Sequence, residues 1–283
     1  MGAWLTALPP LTTRRSSPER GAGVNPGLEG FAIRSYGESV GSVSPSTVHE
    51  VIARLRAIEA SAPPADGVGC FARLYREVTE AVQAHPAGGL STGRPFLERL
   101  DVRFAGLFLT ALEAFEGGQA VPPAWAPLFS QRSQHGVAPL QFALAGMNAH
   151  INRDLPVALV STCRELGLNL AEASPQHAAF EQVNVLLSQV EAKIKGLYLT
   201  GWLRAVDRLV HRFHRLDDVV AMWDVARARD AAWTNGQALW AMQEAPPLAT
   251  AFLDSLDRMV GLAGRGLLLP ADTVIQRLGR LLG

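Results

Sequence analysis

Net charge is the first thing this chain lacks. Twenty-six Lys plus Arg offset 26 Asp plus Glu, and charged residues make up only 18% of the 283 residues. A neutral chain has no general attraction to DNA, RNA or anionic lipid, so neither a nucleic acid nor a membrane surface is expected as a partner. Lysine is nearly absent, occurring only at Lys193 and Lys195. Together with the abundance of Arg, Ala, Leu and Gly, that reads as the bias of a GC-rich bacterial genome.

Cysteine is equally scarce. Cys70 and Cys163 form no CxxC pair, which excludes a zinc ribbon or a thioredoxin-type site. Both sit in apolar helical contexts and are expected as free thiols in a core. No run of about 18 uncharged apolar residues exists, so no membrane span is expected. Residues 1–11 are mildly apolar, but the basic pair Arg14 and Arg15 follows them instead of preceding them. That order does not suit a secretory signal, and a cytoplasmic location is the expectation.

Strand signals are missing too. No period-two run appears, and Asn235-Gly236 lies inside a helical pattern. There is no phosphate-binding glycine loop, no Walker motif, no GxSxG elbow and no repeat of fixed period.

What is present is helical periodicity. Residues 1–43 are rich in Pro, Gly, Ser and Arg and are expected to form an irregular arm. From residue 44 to 283 one all-α, single-domain multi-helix bundle is expected. Ser44-Pro45 reads as its first cap, and Val48, Val51, Ile52, Leu55 and Ile58 follow at helical spacing. Asp66 is placed to cap the next helix, with the stripe Phe71, Leu74, Tyr75, Val78 and Val82. Further helices are expected over about 95–116, 138–154 (kinked or restarted at Pro156), 156–166, 175–195, 202–213, 216–242, 248–262 and 273–282. The third, apolar nearly all round, suits the centre of the bundle.

In such a protein the informative residues are polar groups on apolar stripes. Ala143, Met147, His150 and Asp154 share one face at spacings of four, three and four. Asn148 and Asn152 stack one turn apart beside them, while Arg153 points elsewhere. A histidine with a carboxylate one turn away can serve as an oriented general base. The same residues can equally form a saturated network that stitches helices together.

Two further sets stand out. Trp223, Asp230, Trp233, Gln237 and Trp240 recur on one face, with Arg227 placed to neutralise Asp230. Asp101 shares a stripe with Leu97, Phe104 and Phe108, so it faces inward. His211, His214 and Asp218 complete a second HxxxD pair, but the Glu-x-x-His pattern of bundle metal sites is absent and no metal is expected.

The stretches DGVGCFARLY, FLERLDVRFAGL, VPPAWAPLF, APLQFALAGMNAHINRDLP, RLDDVVAMWDVARARDAAWTN and GLAGRGLL resemble a family of bacterial helical proteins classed as a domain of unknown function, DUF5995-like. The resemblance covers about three quarters of the chain and omits the arm. It implies a helical fold and carries no catalytic residues over.

Two functional readings follow. One is a small-molecule enzyme using acid/base chemistry on a hydrophobic or aromatic substrate. In it His150 is the acid/base, Asp154 orients it, and Asn148, Asn152, Asp101, Trp223, Arg227 and Asp230 bind substrate in a pocket lined also by Phe104, Phe108, Met147 and Trp233. The other is a non-catalytic ligand-binding or scaffold protein in which the His150/Asp154 cluster is structural. A cofactor stays unknown in either case, and assembly as a homo-oligomer is compatible with both. A cavity beside His150 and Asp154 favours the enzyme, whereas full bonding to other helices favours the scaffold.

Overall fold

The computed structural model describes residues 44–84, 93–187 and 224–270. The arm of residues 1–43 and the helices expected over 202–213 and 273–282 lie outside them, as do Trp223, His211, His214 and Asp218. Among the described residues every regular element is helical and there is no strand.

The first helix, α1, spans Val48–Ser61. Its cap is not Ser44 but Thr47, whose side chain accepts from the Glu50 amide at 3.2 Å. Glu50 reaches back to accept from the Ser46 amide at 2.7 Å, a two-way arrangement that outcompetes the earlier proline. After Pro63-Pro64, α2 spans Gly67–Ala84. Asp66 caps it as expected, accepting from the amides of Val68 and Gly69 at 2.9 and 3.0 Å.

Helix α3 covers Arg94–Glu116 and ends at Gly117-Gly118, where Gly118 takes a positive φ of 69°. The Pro- and Trp-bearing segment that follows folds a short helix, α4, over Ala126–Ser130.

Next comes the spine of the domain. α5 spans Pro139–Ala149, a π-helical turn covers His150–Asp154, and α6 continues over Leu155–Glu165. The Leu155 amide donates to the His150 carbonyl five residues back. Pro156 follows and has no N–H for the carbonyl of Asn152. The wide turn therefore replaces the kink expected there, and one continuous rod results. This rod, not α3, is central: α2 and α9 pack on its first part, α3 and α8 on its second. From Gln141 to Ala149 every residue of α5 is buried.

Helix α2 approaches the spine through a reciprocal pair. A Cβ on Gly67 would run into the Phe142 ring, and one on Gly146 into the Phe71 ring. Each glycine lets the other helix's aromatic ring settle against backbone.

Residues 175–187 form α7, with the Ser174 hydroxyl accepting from the His177 amide at 3.2 Å. α8 spans Val225–Ala241, capped by Asp224, whose side chain accepts from the Arg227 amide. Of the helix expected over 216–242, the described part is extended at 224 and helical from 225. α9 spans Pro246–Leu267. Neither cysteine forms a disulfide; Cys163 is buried and Cys70 half-buried. Among the described residues no helix is long and apolar enough to cross a membrane.

Candidate functional site

The π turn begins at His150, whose side chain is 1% exposed. Its ring stacks on Phe104 at 3.4 Å between centroids and 9° between planes, and Tyr75 meets it edge-on at 4.6 Å. Phe71 and Trp125 complete the aromatic cage at 5.7 and 6.0 Å.

Nδ1 of His150 lies 3.3 Å from Oδ2 of the fully buried Asp154. The same oxygen accepts from Trp125 Nε1 at 3.0 Å, and Oδ1 accepts from Arg153 Nη1 at 2.9 Å. Facing a carboxylate, Nδ1 carries the ring proton and Nε2 keeps its lone pair. Nε2 is buried and has no hydrogen-bond partner among the described residues. Burial pulls the His150 pKa below its ordinary 6.5 against the opposing pull of Asp154, so the imidazole is neutral near pH 7.

Arg153 does not point elsewhere. It is 3% exposed and bridges Asp154 to Asp257 on α9, its Nε donating to Asp257 Oδ2 at 3.2 Å. Asp257 in turn accepts from the Ala124 amide at 3.2 Å. The α-helical period fails for Arg153 because each residue of a π turn advances through a smaller angle. Burial raises the Asp257 pKa and the Arg153 guanidinium opposes it.

Asn148 and Asn152 belong to this bonded side. Asn148 donates to the Val260 carbonyl at 3.0 Å and accepts from Asn152 at 3.1 Å. They fasten the spine to α9 and do not line the cavity described next.

That cavity, about 740 Å³, opens between α2, α3, α5, α7 and α8, within the range of ~300–1,000 Å³ usual for small-molecule sites. Its wall is mainly apolar, with Leu74, Val78, Leu97, Leu144, Met147 and Leu187. His150, Tyr75, Asp101 and Arg229 are set into it. The Tyr75 hydroxyl and Asp101 Oδ2 are, like His150 Nε2, buried without a partner among the described residues. Burial, then the charges of Asp101 and Asp154, push the Tyr75 phenol well above its ordinary range, so it stays protonated. Burial raises Asp101 to about 7, opposed by Arg229.

The remaining expected residues fall elsewhere. Asp230 is exposed and accepts from Asn184 at 3.1 Å; Arg227 is exposed and turns back to Asp224 at 3.2 Å, so the Arg227–Asp230 pair does not form. Trp233 is buried against His177 and Phe180 at 4.5 and 5.0 Å, outside the cavity. Phe108 packs behind Phe71, while Phe104 and Met147 do line the wall. Tyr75 and Arg229 were missed as site residues. Tyr75 lay on a stripe taken as plain core. Arg229 sits at helical spacing with Val225, Ala232, Gly236 and Leu239, an apolar stripe that betrays it. Among the described residues no three His, Cys, Asp or Glu side chains are grouped to hold a metal.

The fold and site thus define an all-helical domain with a buried His–Asp pair beside an apolar cavity. The chain belongs to the family of unknown function DUF5995, whose model matches residues 48–270. Searches of curated proteins and of solved structures gave no significant match.

Proposed function

We propose that this protein is a small-molecule enzyme that performs acid/base chemistry on a hydrophobic or aromatic substrate in the cavity beside His150. The observation that carries this reading is the division of labour around His150: Nδ1 is held by Asp154, while Nε2 is neutral, buried and unpartnered in the cavity wall. An idle lone pair in a low-dielectric pocket is a cost that a purely structural histidine has no reason to keep.

In this reading His150 Nε2 takes a proton from the substrate, Asp154 steadies the imidazolium that forms, and Tyr75 donates to an oxygen that gains charge. Asp101, close to neutrality, is placed to return a proton. Proton-transfer cyclisation, elimination and hydrolysis are compatible with these groups. The balanced charge of the chain supports a partner that is neither nucleic acid nor membrane.

The alternative, a binder or scaffold, draws on a specific observation. Asp154, Arg153, Asp257, Asn148 and Asn152 are bonded between helices. Those five residues tie helices together in both readings; the enzyme reading adds a chemical role for His150, for Asp154 as its partner, and for Tyr75 and Asp101. Mass spectrometry of small molecules copurified with the parent and with His150→Gln separates them. The enzyme reading expects His150→Gln to retain an unreacted molecule that the parent has converted or released. The same molecule in the same amount in both proteins establishes a binder.

A further inference from the structure

Resting on the reading that this cavity takes a small apolar molecule, we infer that the ligand is an amphipathic carboxylate whose head group is held by Arg229 and whose body lies along the apolar wall. Arg229 is 7% exposed on an otherwise apolar stripe of α8. Its guanidinium is held in place on three sides. Nε donates to Asn184 Oδ1, Nη2 donates to the Phe180 carbonyl at 3.3 Å, and the group lies 3.9 Å above the centre of the Phe180 ring. Nη1 has no hydrogen-bond partner among the described residues.

Nor does Arg229 have an ion-pair partner among those residues. Glu181 and Asp230, outside the cavity wall, act on it electrostatically without pairing, and each accepts from the Asn184 amide, at 3.2 and 3.1 Å. The other arginines of the wall are occupied: Arg94 with Glu98 at 2.9 Å, Arg99 with Glu165 at 2.6 Å. Asp101 acts on Arg229 from across the cavity without pairing, and with a pKa of about 7 it is largely protonated below neutrality. Burial lowers Arg229 to about 10, which still leaves it cationic at pH 7.

A buried, oriented cation that has only non-contacting carboxylates and no direct ion pair is expensive for a fold to keep, and it is compensated when an anion binds against it. The planar fork of a guanidinium matches a carboxylate in particular. With the other two arginines of the wall already paired, one guanidinium whose Nη1 is open suits a singly charged carboxylate better than a phosphate. The apolar wall supplies affinity for the rest of the molecule, since each methylene moved from water onto it adds to binding.

The test compares decanoate with decanol, titrated calorimetrically into the full chain and into Arg229→Met and Arg229→Lys, with melting curves to establish folding. The parent should bind decanoate about tenfold or more tighter than decanol, the scale of one charge-assisted hydrogen bond. Arg229→Met should remove that preference and leave decanol binding intact, and Arg229→Lys should keep part of it. Equal affinities in the parent overturn the inference without need of a variant. A Met variant that weakens both probes alike, or a parent that binds neither, overturns it too. Binding does not depend on turnover, so a catalytically silent His150→Gln result leaves this outcome untouched.

Discussion

Trp125 and His150 share one oxygen. Asp154 Oδ2 accepts from the indole Nε1 at 3.0 Å and faces the imidazole Nδ1 at 3.3 Å, while Oδ1 is reserved for Arg153. Asp154 therefore connects the loop before α4, the spine and, through Arg153, α9. Histidine is the most dispensable member of this set, because the other two donors keep the carboxylate solvated without it. The consequence is an asymmetry. Asp154→Asn should cost about 3–5 kcal/mol, the scale of breaking a buried charge pair. His150→Gln should cost less than about 2 kcal/mol, the loss of one hydrogen bond and a ring contact. Urea denaturation of both variants and of the double variant measures this. Equal, large losses with strong coupling would mark His150 as a stitching residue and remove the enzyme reading.

Arg153 gives a prediction of opposite bookkeeping. It lies between two buried carboxylates, Asp154 and Asp257. Arg153→Met leaves both without their cation and should destabilise the fold by about 3–5 kcal/mol. Adding Asp257→Asn removes one of the stranded charges, so the double variant should be more stable than Arg153→Met alone. A double variant that is less stable would show that Asp257 serves mainly the Ala124 amide.

How much of this was readable beforehand follows from what helical periodicity can carry. The stripes of α1 to α3 and the inward turn of Asp101 and His150 are one-period signals, and they stand in the structure. The His150–Asp154 contact survives because residues four apart stay close on a π turn as on an α turn. Arg153 was assigned to the wrong side because the α period was extended across that π turn. Asn148 and Asn152 were placed correctly on the helix, but periodicity gives a face and not its neighbour, which is α9 and not the cavity. The face of α8 that carries Asp230 and Trp233 likewise shows its neighbour only in the structure: Trp233 packs on α7, whereas Arg229, on the apolar stripe of α8, lines the cavity.

Asp101 and His150 should leave opposite traces in the pH dependence of stability. Asp101 titrates near 7 in the folded protein against an ordinary 3.8. Between those values the folded state holds a proton that the unfolded chain has lost, so its contribution falls as pH rises and is gone above about 7. His150 has a folded pKa below 6.5. The unfolded chain takes up that proton first, so stability falls as pH drops below 6.5. Asp101→Asn should therefore come close to the parent at pH 4 and exceed it by roughly 4 kcal/mol at pH 8, the linkage equivalent of that pKa difference. His150→Gln should flatten the acid limb. Chemical denaturation from pH 4 to 8 checks both, and an Asp101→Asn protein less stable than the parent at pH 8 would mean that this carboxylate is paired in solution.

Tyr75 offers the sharpest separation of stability from function. Its hydroxyl is buried without a partner among the described residues, while the rest of the ring is well packed between Phe71, Phe104 and His150. Removing an unsatisfied buried hydroxyl while keeping the ring deletes a desolvation penalty and no contact. Tyr75→Phe should then be as stable as the parent or more so, by up to about 1–3 kcal/mol. A residue kept for the fold behaves in the reverse way, losing stability when its polar atom is removed. A residue kept for chemistry is retained despite its cost, as is common where activity and stability compete. Thermal and urea unfolding of Tyr75→Phe, set beside mass spectrometry of its copurified small molecules, reads both sides at once. A more stable variant that retains an unreacted molecule supports a donor role for Tyr75 at the cavity, and a destabilised variant with an unchanged molecule would assign the hydroxyl to the fold.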